Sequence, residues 1–216
     1  MAITLASLRD RVEQILMDSG NAIWATGDID EALRQALAEY SKIRPLAEVG
    51  TITVSTATHE LSITTLTGLI GVSRVWCPYT AASPEDPPEW VAFEHWVDEV
   101  VLYFPDELTA GKVARIFYDK VQTLDDLDSA SATSFPAEDE TLIATGAAGY
   151  AALSRALDLG EQVTLDRDVP TRAKTWAGEK LQVFRQGLAA VARAQAALGK
   201  SHVSLPKLDR SDSTWS

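Results

Sequence analysis

The feature that most limits the fold of this chain is a change of hydrophobic period along it, with helical spacing at both ends and alternation in the middle. Residues 4–18 place Leu5, Leu8, Val12, Ile15 and Leu16 at steps of three and four, which is one face of a helix. Thr4 or Ser7 can cap its start, and Ser19-Gly20-Asn21 ends it with turn residues. A second helix is predicted over 28–42. Asp28, Asp30 and Glu31 sit in its first turn, where the helix dipole favours negative charge, and Ile29, Leu33, Ala36, Leu37 and Tyr40 form its apolar face. Pro45 stops it.

From 49 to 118 the chain runs instead in short stretches of Val, Ile, Thr and aromatic residues. Thr51–Ser55 and His59–Ile63 each alternate, and the Thr-Ala-Thr between them predicts a hairpin. Further strands are predicted at 69–76, 90–96, 99–104 and 112–118, with a short helix as the alternative near Glu89–Trp96. Residues 119–137 read as a polar, small-residue connection. Ala137-Glu138-Asp139-Glu140 then opens a third helix to about 158, with acidic residues again in the first turn. A fourth is predicted over 171–198, roughly 40 Å long, with Ala177, Leu181, Phe184, Leu188, Val191 and Leu198 in its stripe.

These patterns predict an α+β fold: a bundle of two N-terminal and two C-terminal helices with an antiparallel β module inserted between them. The expected segments are residues 1–48, an N-terminal helical hairpin; 49–118, the β module; 119–198, the connection and the C-terminal helices; and 199–216, an extended tail. Gly146 and Gly149 stand three apart in the third helix, nearly on one face. An interior glycine costs about 1 kcal/mol of helix propensity. Their benefit is expected to be close helix packing, either inside the bundle or between neighbouring subunits.

Composition narrows the function. Cys77 is the one cysteine, so there is no internal disulfide framework and a reducing place of synthesis suits the chain. The N-terminal stretch does not read as a signal peptide, and no apolar run is long enough for a transmembrane helix, so no membrane partner is expected. The net charge is −12, which disfavours free binding to nucleic acid. It is uneven: residues 1–150 carry 9 Lys/Arg against 24 Asp/Glu, a net −15, and residues 151–216 carry 10 against 7, a net +3.

Catalytic chemistry finds little support. His59, His95 and His202 are isolated in sequence, and there is no zinc spacing, phosphate loop or nucleophile elbow. Cys77, in Val75-Trp76-Cys77-Pro78, reads as a packed thiol. Asp125, Asp126 and Asp128 lack the spacing and the glycine of a calcium loop and read as a solvated turn. No catalytic residue, metal or cofactor is expected. The tail is more distinctive. Val203, Leu205, Leu208 and Trp215 are apolar residues in a segment too polar to fold alone, and Lys207 and Arg210 lie among them. Trp215 is either disordered or an anchor on another subunit, and the anchor is the reading taken here.

The order of segments resembles the head–tail connector, or neck adaptor, proteins of long-tailed bacteriophages. The resemblance spans roughly residues 5–158. It runs through Leu8-Arg9-Asp10-Arg11-Val12, Trp24, Asp30–Ser41, Arg44-Pro45, Val75–Tyr79, Arg115–Tyr118 and Thr123–Ala130 to Phe135–Glu140 and Ala144–Ala152. It implies a helical-bundle subunit of a virion ring, commonly of twelve copies, beneath the portal protein. The ring would pass DNA through its channel without reading sequence, and a further neck or tail-completion protein would follow it. C-terminal segments of such adaptors often grip the portal, which assigns that contact to Val203, Leu205, Lys207, Leu208, Arg210 and Trp215. The alternative is a small soluble ligand-binding protein or enzyme with its site in the β module around Trp90, His95 and Trp96.

Overall fold

The computed structural model describes residues 3–18, 20, 22–82, 89–95, 100–161 and 168–201. Helix α1 is Leu5–Leu16, and its cap is reciprocal: Thr4 Oγ1 accepts the Ser7 N–H while Ser7 Oγ accepts that of Thr4. The helix stops when Met17 turns left-handed. The Asp18 carboxylate then takes the N–H groups of Ala22, Ile23 and Trp24, a local nest that holds its pKa below the usual carboxylate range. Helix α2 is Thr26–Ile43, α3 is Glu140–Glu161 and α4 is Asp168–Ser201.

Helix α3 is the centre of the bundle. It packs on α4, α2 and α1, whereas α1 and α2 touch each other only lightly. The expected N-terminal hairpin is therefore two helices joined through α3 and through the two-pronged Arg9–Asp30 ion pair, at 2.6 and 2.7 Å. One core holds Leu8, Val12, Ile29, Leu33, Tyr40, Ile143, Ala147 and Phe184, all fully buried.

The β module is two antiparallel sheets packed face to face. Its strands are β1 (Leu46–Thr53), β2 (Thr58–Ser62), β3 (Leu69–Trp76), β4 (Trp90–Val91), β5 (Glu94–His95), β6 (Val101–Leu108) and β7 (Val113–Lys120). One sheet has the order β1-β7-β3-β4 and the other β2-β6-β5. Val75, Ala114, Ile116 and Tyr118 from the first meet Leu61, Leu102 and Phe104 from the second in a core separate from that of the bundle.

The predicted hairpin of 51–55 with 59–63 does not form. β1 pairs along its whole length with β7, and β2 pairs with β6 in the other sheet. Alternation fixes which face of a strand is buried but not which strand lies beside it. Val54 marks the crossing between sheets: it is buried in the shared core, its N–H bonds Lys112 O, and its carbonyl accepts the N–H of Gly111. Gly111 has φ 79°, a conformation glycine adopts without strain. The single strand predicted over 90–96 is likewise divided, β4 going to one sheet and β5 to the other.

The connection after β7 is not a solvated link. It makes two short 3-10 turns, Leu127–Ser129 and Ala137–Asp139, and it buries Leu124, Leu127 and Phe135 in the bundle core. Small polar residues serve here as internal partners. Thr133 Oγ1 accepts the Asp125 N–H and donates to Ile3 O, and Ser134 Oγ bridges Gln122 Oε1 and the Thr123 N–H.

Candidate functional site

The seam between α3 and α4 is set by residues without side chains. A Cβ built on Gly146 comes within 2.8 Å of the Phe184 ring, and one on Gly149 comes within 2.9 Å of Leu181 Cδ2 and 3.2 Å of the Leu181 backbone nitrogen. From the other side, a Cβ on Gly187 collides with Leu142 Cδ1. Gly146 and Gly149 thus face α4 of the same chain. Gly187 carries the reciprocal contact, and its place opposite Leu142 is not legible until the two helices are set antiparallel.

A second constellation joins the end of α2 to the start of α3. Asp139 is 7% exposed and accepts the Tyr40 hydroxyl at 2.6 Å and the Arg44 guanidinium at 2.8 Å. Tyr40 is fully buried, and its ring meets Phe135 edge-on. Burial and the neighbouring carboxylate push its hydroxyl's pKa well above the ordinary phenol value. From sequence, Asp139 reads as a first-turn helix charge. Its buried partners lie almost a hundred residues away, and only the tertiary fold shows them. Nearby, Gln122 donates its side-chain amide to Arg44 O and its N–H to Ser41 Oγ. Buried polar groups are satisfied throughout this junction, which fixes one arrangement of helix, connection and helix.

The acidic run is a clamp. Asp128 binds Arg34 in two-pronged fashion, at 2.7 to 3.0 Å, with Glu31 assisting at 3.3 Å. The guanidinium holds the Asp128 carboxyl below its usual range. Asp126, Asp128 and Ser129 have positive φ, so the loop is shaped around that pair. No group of three His, Cys, Asp or Glu among the described residues can hold a metal ion.

An apolar cleft of about 420 Å3 opens beside the bundle, lined by Leu16, Ile23, Trp24, Ala152, Arg155 and Trp176 among others. Trp24 is fixed there by donating its indole N–H to Ala151 O at 3.3 Å. Arg155 is the one ionisable group in the described lining, so the cleft has no acid–base pair to offer a substrate.

In the β module, Trp90 belongs to the first sheet and His95 to the second, so these two of the residues named for a ligand site lie on different sheets. Trp96 lies outside the described residues. The groove beside Trp90, lined by Ser73, Arg74, Val75, Val91 and Phe93, is open and about 220 Å3. Cys77 is buried, and desolvation pushes its thiol pKa up, away from the reactive thiolate. No helix among the described residues is long and apolar enough to cross a membrane. The tail residues Val203, Leu205, Lys207, Leu208, Arg210 and Trp215 lie outside the described residues.

No protein family matches the chain, and no curated protein matches it. Among solved structures it is similar to a chain of the neck of an empty GTA particle. The TM-score is 0.32 and the identity 14%, over 69% of this chain and 77% of that one. A likeness at that level fixes neither fold nor function.

Proposed function

We propose that this protein is a structural, non-enzymatic subunit of the neck of a phage-like particle. In this reading it forms an adaptor ring that docks on the portal protein, extends the DNA channel and gives the next neck or tail-completion protein its platform, so that it resides in the virion between capsid and tail. One observation carries the reading: the separated segments that resemble neck adaptors are one another's tertiary partners. Tyr40 and Arg44 meet Phe135 and Asp139, Arg34 meets Asp128, and Trp24 meets Ala151. A chance likeness of scattered segments has no reason to coincide with the contacts that define the fold.

The physical character of the chain agrees. A wall of net negative charge does not hold DNA tightly, so DNA can slide past it. The C-terminal arm supports portal docking. Helix α4 has 34 residues and α3 has 22. Because Gly146 lies against Phe184 and Leu142 against Gly187, the last turns of α4 run past the start of α3. They lead into a tail bearing Val203, Leu205, Lys207, Leu208, Arg210 and Trp215. The test is binding to a candidate portal protein, with full-length protein and with a chain ending at Leu198. Full-length protein is expected to bind and the shortened chain to fold without binding. Equal binding by both would place the contact on the bundle or the β module.

A further inference from the structure

The two sheets of the β module share one core, so their outer faces look in opposite directions, and those faces differ in charge. On the first sheet, Ile116 and Val75 pair in register and point inward, both about 1% exposed or less. Their neighbours Arg115, Phe117, Arg74 and Trp76 therefore point outward, with Trp90 beside Trp76 and Val49 beside Phe117. Arg74 lies 5.4 Å from the Trp90 ring, and Arg115 lies 4.8 Å from Tyr79 and 5.4 Å from Phe117. Neither guanidinium has a carboxylate partner among the described residues, where Asp119, at the far end of β7, is the carboxylate of this face. Trp90 and Val49 are 46% and 43% exposed, and the buried indole N–H of Trp76, beside Trp90, has no acceptor among the described residues. Exposed tryptophan and arginine on a flat sheet are the residue types that dominate protein contacts.

The second sheet presents the opposite sign. Leu61 and Leu102 pair in register and point inward. Glu60, Tyr103 and Glu94 then form one outward row across β2, β6 and β5. Glu60 and Glu94 are exposed and have no cationic partner among the described residues. Asp106 and Glu107 are exposed further along β6.

The geometry points to a second copy of this chain as the occupant: the Arg74/Arg115 aromatic face of one β module docks on the Glu60/Glu94 face of the next. Two different, complementary patches on opposite sides of one module make a head-to-tail contact, the kind that repeats and closes into a ring. Arg74 and Arg115, with no carboxylate partner among the described residues, find their countercharge on the next copy, and each copy leaves the same pair of faces for the following one. The inference rests on the ring reading above for closure; the pairing of faces follows from the sheets. It assigns the β module to the contact between subunits and leaves the C-terminal arm for the portal.

The test is sedimentation of the isolated full chain at low and high salt, with four versions compared. The native chain is expected to self-associate at low salt and to dissociate as salt screens the charges. Arg74→Glu with Arg115→Glu, or Glu60→Arg with Glu94→Arg, is expected to weaken association by roughly tenfold or more, because like charges then face each other. The chain carrying all four changes restores complementarity with the signs exchanged and is expected to associate again. Circular dichroism checks that each version keeps its fold; a pair of reversals that unfolds the chain is replaced by Arg74→Gln with Arg115→Gln, expected to weaken association less but measurably. Assembly unaffected by either pair of reversals overturns the face pairing and leaves the neck reading intact. A native chain that stays monomeric at every concentration also overturns the pairing, and the portal experiment then judges the neck reading alone. Assembly that needs both faces in a protein that ignores the portal keeps the pairing and refutes the neck reading.

Discussion

Replacing Asp139 by alanine removes the buried carboxylate that ties Tyr40 and Arg44, at the end of α2, to the start of α3. Two donors lose their acceptor. The Tyr40 hydroxyl is fully buried, and leaving such a group unpaired costs about 1–3 kcal/mol. The Arg44 side chain is 32% exposed and keeps Glu138 at 3.5 Å. Its share is therefore taken at the level of a partly solvated pair, roughly 1 kcal/mol. The sum is about 3 kcal/mol, which for a chain of this size lowers Tm by roughly 6–12 °C. Urea unfolding with a double-mutant cycle through Tyr40→Phe measures it. If the hydroxyl and the carboxylate act together, the double variant is less destabilised than the two single variants summed. Tyr40→Phe alone is expected to cost less than Asp139→Ala, since phenylalanine removes the donor instead of stranding it. A loss below about 1 kcal/mol in Asp139→Ala, or strict additivity with Tyr40→Phe, would falsify the assignment of this junction to a buried charge-assisted network.

Gly149→Leu forces a side chain against Leu181 and its backbone nitrogen, and a loss of about 1–3 kcal/mol in thermal or urea unfolding is expected; a variant that melts like the parent contradicts the close approach. Tyr150 is pushed up to about 12, first by burial and then by Glu39, from an ordinary 10.0. Its contribution to stability is fully present below pH 10 and is lost as pH rises toward 12, so Tyr150→Phe is expected to flatten the alkaline end of the stability profile. Asp18, held below 3.8 by the N–H groups of Trp24, Ile23 and Ala22, contributes in the opposite window. Its stabilisation is present above pH 3.8 and fades as pH falls through the folded-state value, so Asp18→Asn is expected to make acid unfolding less steep.

Much of this architecture is readable from the sequence because helical period and capping are local. Thr4 and Ser7 announce the start of α1, Pro45 the end of α2, and the Leu181, Phe184, Leu188 spacing the buried stripe of α4. Strand pairing is less accessible. Thr51–Thr53 alternates convincingly, yet its partner is Val113–Arg115, some sixty residues on, and the short turn that suggests a hairpin is the crossing between sheets. Polar residues are harder still. Asp139 looks like a surface charge until Tyr40 and Arg44 arrive from α2, Asp128 stays exposed but pairs with Arg34, and Thr123, Thr133 and Ser134 look like linker residues until they find backbone partners. For Gly146 and Gly149, spacing places both on one face but cannot say which helix that face meets. The charge of the two sheet faces is invisible in sequence because Arg74 and Arg115, like Glu60 and Glu94, come together only through register.

The claim that the protein is a repeating neck subunit is tested most directly by the stoichiometry of its complex with the portal protein, measured by native mass spectrometry. The account predicts a closed ring on the portal, for which twelve copies of the 23.4 kDa chain add about 280 kDa to the portal mass. A chain that stays monomeric in the presence of the portal, or that binds at one copy per portal assembly, would contradict it.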